Sequence, residues 1–163
     1  MILVTVGMQL AFDRLIKAVD DIAPELGMPV VAQTGKGVYK ARNIRTIESI
    51  APTDFDGLIR ETRLIVAHAG IGTVLTAQKF SKPILLFPRR AALGEHRNDH
   101  QLATVAQLKG RPGVIVVEKE SELREGIAAG LTLDLVETPP VPKREMLRQS
   151  LRSFIAEGRL PFD

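Results

Sequence analysis

Along this chain, short unbroken apolar runs alternate with longer stretches whose apolar positions lie three or four apart. Residues 2–6 (Ile-Leu-Val-Thr-Val) form an apolar, β-branched run ended by Gly7, which predicts a buried first strand. Phe12, Leu15, Ile16, Val19 and Ile22 then recur at helical spacing, with Asp13, Arg14, Lys17 and Asp20 between them. That pattern predicts an amphipathic helix, stopped by Pro24 and Gly27. Residues 29–33 read as a second strand, Gly35 and Gly37 break the chain, and the alternation over 44–50 predicts a shorter third strand. Thr53 or Asp54 is placed to cap a helix whose apolar side is Leu58 and Ile59.

The second half continues the alternation. Residues 64–67 predict a strand, and 70–73 a turn into a helix running through Phe80. A strand over 84–87 is bracketed by Pro83 and Pro88, a polar loop covers 89–97, and a helix covers 99–108. A strand over 114–117 precedes a helix over 121–129 that Ser121 would cap. Most strands are uniformly apolar, as expected when helices cover both faces of a sheet. The predicted fold is therefore α/β, a doubly wound, Rossmann-like parallel sheet of about six strands. Residues 1–137 are assigned to this domain. Residues 138–163 are set apart because Thr138-Pro139-Pro140-Val141-Pro142 cannot continue a helix. A basic helix follows there, with Met146, Leu147, Leu151, Phe154 and Ile155 as its apolar stripe.

Composition narrows the function. The 163 residues include no cysteine, which excludes disulfides, thiolate metal sites and a cysteine nucleophile, and fits a cytoplasmic setting. No stretch approaches the roughly 18 to 20 apolar residues that span a bilayer. A net charge of +3 argues only weakly for an anionic partner, and with one Tyr and no Trp the stacking platforms of single-strand nucleic-acid binders are missing. Nucleic acid is not an expected partner.

In an open parallel sheet, ligands bind beyond the carboxyl ends of the strands. Three segments fall there. In His68-Ala69-Gly70-Ile71-Gly72-Thr73, two glycines permit a tight turn and close approach, and the helix that follows offers unpaired N–H groups and a positive dipole end. This suits a diphosphate; the alternative is a plain strand–helix turn. Gly7, followed by Met8-Gln9-Leu10, leads into a second helix start, which is either a ligand contact or an ordinary turn. In Glu95-His96-Arg97-Asn98-Asp99-His100-Gln101, Asn98 or Asp99 would cap a helix while His100 and Gln101 set donors and acceptors where sugar hydroxyls could be read. Arg89 and Arg90 could neutralise phosphate, although solvated loop charge is the plainer reading. His96 and His100 lack a third ligand at suitable spacing, so no metal is expected. No catalytic triad or carboxylate pair is evident, leaving donor binding and leaving-group stabilisation as the chemistry on offer.

Val4-Thr5-Val6-Gly7, Ile65-Val66-Ala67-His68-Ala69-Gly70-Ile71-Gly72-Thr73, Lys82-Pro83-Ile84 and Asn98-Asp99-His100-Gln101-Leu102-Ala103, taken in this order, resemble the glycosyltransferase family 28 C-terminal domain. The resemblance covers roughly residues 1–110, and is nearest to stand-alone members: catalytic subunits of two-part UDP-sugar transferases, and small subunits of bacterial exopolysaccharide glycosyltransferases. It implies the C-terminal half of a GT-B enzyme binding a UDP-sugar as substrate, with no cofactor. Gly7, Met8, His68, Gly70, Gly72 and Thr73 would approach the diphosphate. Asn98, Asp99, His100 and Gln101 would lie by the donor sugar, with His100 the one candidate for a catalytic role. The acceptor site would belong to a separate, membrane-associated subunit acting on a lipid-linked acceptor, holding this chain at the inner face of the membrane. The helix over 143–154 either docks on that subunit or an anionic membrane, or packs on its own domain. One departure stands out: family members usually carry Asp or Glu where this chain has Thr76, losing a charge-assisted bond to ribose of roughly 1 to 2 kcal/mol. That favours a second reading, a non-catalytic nucleotide-binding or regulatory subunit. A third, a dinucleotide-binding protein, lacks its third glycine and ribose acid.

Overall fold

The computed structural model describes residues 1–133. Six strands form one parallel sheet: β1 (Ile2–Thr5), β2 (Val30–Gln33), β3 (Arg45–Ile47), β4 (Leu64–Ala67), β5 (Ile84–Leu86) and β6 (Val114–Val116). Their spatial order is β3-β2-β1-β4-β5-β6, with β1 paired in parallel to both β2 and β4. The helices are α1 (Asp13–Ile22), α2 (Pro52–Glu61), α3 (Ile71–Lys79), α4 (His100–Leu108) and α5 (Leu123–Thr132). This is the doubly wound α/β sheet that the apolar runs predict. The order reverses at β1 and β4, which places the loops after those strands beside each other at the carboxyl edge.

Both faces are covered, and the strand period of two sorts the side chains cleanly. Ile2, Val4, Leu64, Val66, Leu85 and Phe87 pack on one side with Leu15, Ile16 and Val19 of α1 and with Leu123 and Ile127 of α5. Leu3, Ile65, Ala67, Ile84 and Leu86 pack on the other with Ile59, Val74, Ala77, Val105 and Leu108. Each fully buried Leu or Ile here contributes about 1.5–3 kcal/mol relative to exposure. Helix α5 lies close because two glycines face the sheet: a Cβ at Gly126 would meet Leu85 and Val117, and one at Gly130 would meet Leu64. Asp20 is the polar exception on the buried side of α1. Its carboxylate accepts the N–H groups of Arg42 and Asn43 and the Tyr39 hydroxyl, tying down the link between β2 and β3.

Several boundaries differ from the sequence-based expectation. Helix α2 begins two or three residues earlier than expected, at Pro52, so Ala51 is the capping position, and neither Thr53 nor Asp54 takes it. Ser121 does not cap α5 either, because Glu120–Glu122 form a 3-10 turn and Glu122 precedes the helix. Asp99 occupies the capping position of α4 without a side-chain cap bond; its carboxylate instead accepts the Ala91 N–H at 2.8 Å. The boundary after residue 137, the proline-rich stretch and the basic helix over 143–154 lie outside the described residues.

Candidate functional site

Three loops leave the carboxyl ends of the adjacent strands β1, β4 and β5, and they carry the three segments singled out in the sequence. His68 directly follows β4, and its imidazole lies against both glycine segments. Gly7 has φ +76°, a left-handed conformation open to glycine, and a Cβ there would come to 3.0 Å from Cε1 of His68. Gly70 has ordinary extended angles, φ −89° and ψ 128°, yet a Cβ would stand 3.0 Å from two carbons of the same ring and closer still to Nε2. Both glycines are thus explained within the chain, as room for His68. Gly72 differs: no atom lies within 4 Å of where its Cβ would be. His68 thus links Gly7, after β1, to Gly70, and Gly72 and Thr73 follow in the first turn of α3.

The tautomer of His68 follows from its neighbour. Nδ1 faces the Thr5 carbonyl at 3.5 Å, and a carbonyl only accepts, so the proton belongs on Nδ1 and Nε2 carries the lone pair. Burial above all, then the charge of Arg89 and the proximity of His96, hold the imidazole below the usual histidine value, with the Thr5 carbonyl offsetting part of the shift. His96 is lowered as well, first by burial and then by His100, Arg89 and Arg97. Its ring meets that of His100 edge-on at 4.4 Å, and its Nδ1 has no partner among the described residues. All three histidines of the chain therefore sit on or beside this edge.

Arg89 overturns its sequence reading. Only 2% exposed, it is neither a solvated loop charge nor a side chain free to meet phosphate. Its Nη2 donates to the carbonyls of Val6 at 2.7 Å and Leu10 at 2.8 Å, and its Nη1 to those of Ala11 and Glu95. The guanidinium also stacks over Phe12, 4.5 Å from the ring centre. Burial lowers its proton affinity and Glu95 offsets part of that loss; an arginine stays protonated regardless. Nearby, the Glu95 carboxylate accepts Nε of Arg14 at 2.6 Å, Nη2 of Arg14 at 2.8 Å and the Arg90 N–H at 2.9 Å. Arg14 in turn lies over Phe87 at 4.4 Å and donates to the Pro88 carbonyl. Arg14, Arg89 and Glu95 went unrecognised as site-building residues in the sequence. The Pro-Arg-Arg run after a strand was visible, but its burial was not.

Gln101 is buried, at 3% exposure, and its carbonyl oxygen accepts the Arg89 N–H at 3.0 Å. Its amide nitrogen makes no hydrogen bond among the described residues. Asn98 and His100 are exposed, and Oδ1 of Asn98 pairs with Nδ1 of His100, which leaves Nε2 of His100 free to face a ligand. Met8 is exposed, as are Leu10, Ile71 and Leu93 along the same loops and helix start. On the β2 side a polar cleft of about 440 Å³ is lined by Thr34, Gly35, Lys36, Lys40 and Glu48, and a Cβ at Gly35 would collide with the Gly7 carbonyl, so cleft and edge adjoin. Thr76, one turn into α3, donates its hydroxyl proton to the Gly72 carbonyl at 2.9 Å. Among the described residues no cluster of three or more His, Asp or Glu could hold a metal ion, and no helix is long and apolar enough to cross a membrane.

A family model for the glycosyltransferase family 28 C-terminal domain matches residues 1–155. The UDP-N-acetylglucosamine transferase subunit ALG13 from two strains of Cryptococcus neoformans var. neoformans serotype D is 25% identical over 100 residues, 59% of this chain and 48% of the relative. The matched stretch thus spans about half the length of those relatives. Among solved structures, a glycosyltransferase of kitacinnamycin superposes over 98% of this chain and 43% of its own, with TM-score 0.62 and 17% identity. The NMR structure of ALG13 does so over 88% of this chain and 93% of its own, with TM-score 0.58 and 15% identity. Spinosyn forosaminyltransferase SpnP gives TM-score 0.57 at 20% identity over 80% of this chain and 34% of its own. At these identities the structural likeness concerns the fold.

Proposed function

The chain belongs to the glycosyltransferase family 28 C-terminal domains, and on that premise we propose that it is the donor-binding subunit of a UDP-sugar-dependent transferase. In this reading it delivers a hexosyl residue to a lipid-linked acceptor in cell-surface polysaccharide synthesis, and a membrane-associated partner subunit carries the acceptor site. The observation that carries the reading is convergence: the Gly7 loop, the His68–Gly72 turn and the start of α4 all lie at one edge, around the point where the strand order reverses.

The chemistry follows from these groups. The diphosphate lies against Gly7 and Met8 and against the first turn of α3 at Gly70, Gly72 and Thr73, where backbone N–H groups and the helix dipole meet its charge. As the sugar–oxygen bond breaks, negative charge grows on the departing UDP, and those fixed donors stabilise it without reorganising. The diphosphate's charge favours the protonated form of His68, which takes its proton from solvent and then donates Nε2–H to the departing UDP. The free amide nitrogen of Gln101, with Asn98, Asp99 and His100, reads the sugar hydroxyls. Met8, Leu10, Ile71 and Leu93 supply apolar surface around this edge for the partner. That the ALG13 relatives are subunits of a transferase supports a partner-dependent activity.

The second reading, a nucleotide-binding subunit without catalytic duty, is favoured by one feature. The Thr76 hydroxyl proton is already given to the Gly72 carbonyl, so only its lone pairs remain for ribose. Calorimetry of the chain against UDP, several UDP-sugars and ADP tests both. Binding of UDP and of one UDP-sugar, with ADP rejected, is expected, and absence of any uridine nucleotide binding refutes the donor role. In transfer assays with the partner, Gln101→Ala is expected to lower turnover; unchanged transfer would remove the donor-sugar role assigned to Gln101.

A further inference from the structure

Backbone polarity in the loop between β1 and α1 is one-sided. The carbonyls of Val6, Leu10 and Ala11 all accept from the Arg89 guanidinium, and that of Gly7 accepts from Nε2 of Gln33 at 3.3 Å. Among the described residues, no backbone N–H from 7 to 11 donates a hydrogen bond. Backbone donors without partners must be met by water or by a ligand. A loop whose carbonyls at Val6, Gly7, Leu10 and Ala11 are engaged by the protein, and whose N–H groups are all open, leans toward the polarity an anion requires.

We propose that Arg89 is a positioning residue for donor binding: its buried fork gathers the loop's carbonyls and so holds the N–H groups of residues 7–11 free for the donor diphosphate. This rests on the donor-binding reading above. The arginine itself does not touch the ligand, being enclosed by Val6, Leu10, Ala11, Glu95 and the ring of Phe12. The fork geometry matters because one planar group must serve carbonyls in two directions, which an ammonium on a flexible stem cannot reproduce. Arg89 also joins the loop to the sugar side of the site, since its own N–H is held by Gln101. One residue thereby sets the spacing between the diphosphate amides and the start of α4.

The test compares UDP with uridine, because only UDP carries the phosphates. Arg89→Gln and Arg89→Lys are made in the full chain and checked for folding by circular dichroism. Titrations followed by NMR should show UDP affinity reduced roughly ten- to hundredfold in the Gln variant and less in the Lys variant, with uridine affinity unchanged. Folded variants that bind UDP like the parent, or that lose uridine and UDP equally, overturn the proposal. Should neither variant fold, the parent decides: on adding inorganic pyrophosphate or UDP, amide resonances of residues 7–11 are expected to shift. UDP binding that leaves those amides unmoved overturns the role of Arg89 alone. A parent that binds neither compound overturns this proposal and the donor reading together.

Discussion

Gly70→Ala separates two reasons for a glycine that a sequence alone cannot distinguish. With φ −89° and ψ 128°, any residue fits the backbone at this position, so a methyl group adds no dihedral strain. The obstacle is His68, whose ring carbons stand 3.0 Å from the new Cβ and whose Nε2 is closer. The Gly7 loop lies close to the same edge of the ring, a Cβ at Gly7 standing 3.0 Å from Cε1, so little room is left there for the ring to move into. Overpacking of this kind costs about 1–3 kcal/mol. Loss of unfolded-chain entropy offsets it by about 0.4–1 kcal/mol. The net expectation is a destabilisation of about 1–2 kcal/mol, or a Tm lowered by roughly 2–8 °C in a domain of this size. In a His68→Ala background the obstacle is gone, and the same substitution should be neutral or stabilising by up to about 1 kcal/mol. Urea unfolding of the four proteins, followed by circular dichroism, gives the cycle, with an expected coupling of about 1–3 kcal/mol. If Gly70→Ala destabilises both backgrounds equally, His68 is not what the glycine accommodates. If it is harmless in both, the glycine is there for the ligand.

Gly72→Ala should behave in the opposite way: with open space around it on the second residue of α3, it is expected to raise stability by about 0.5–1 kcal/mol while weakening UDP binding, and calorimetry showing unchanged affinity would remove Gly72 from the phosphate site. Because burial holds the folded-state pKa of His68 below its unfolded value, the unfolded chain binds more protons once pH falls below about 6.5. Stability should therefore decline as pH drops from there toward the folded pKa, and His68→Asn should flatten that decline in denaturation series run between about pH 7 and 5. A diphosphate beside the same ring raises its proton affinity, so UDP binding near pH 6 should take up protons. Calorimetry in two buffers of different ionisation enthalpy detects this, and zero uptake would place the phosphates away from His68.

Much of the architecture could be read from local pattern. Strand β4 occupies residues 64–67 as expected, and α3 begins after Gly70, because unbroken apolar runs bracketed by Gly, Pro or polar residues leave few alternatives. Helix starts were harder: α2 begins at Pro52, two or three residues earlier than its expected caps allow, and a 3-10 turn intervenes before α5, both outcomes of competition between neighbouring turns. The convergence of three segments also followed from topology alone. What could not be read was their internal wiring. Arg89 bonds to Val6, 83 residues earlier in the chain, and no local signal marks an arginine that will be buried by carbonyls so distant. Gln101 illustrates the same difficulty from the other side. Its place at a helix start suggested a group facing the ligand, whereas half of its amide is engaged by Arg89, and only the nitrogen remains open.

The Arg14–Glu95 pair has a consequence for anyone recombining this domain with its relatives. Its partners lie on α1 and on the segment after β5, both largely buried, with Arg14 resting on Phe87 between them. Exchange the 88–99 stretch for one without the acid, and the guanidinium keeps only the more exposed carboxylate of Glu120, at 3.1 Å; exchange α1 for one without the arginine, and the Glu95 carboxylate keeps only the Arg90 N–H. Chimeras would therefore have to carry both pieces from the same parent, a crossover rule that the distance between them along the chain conceals.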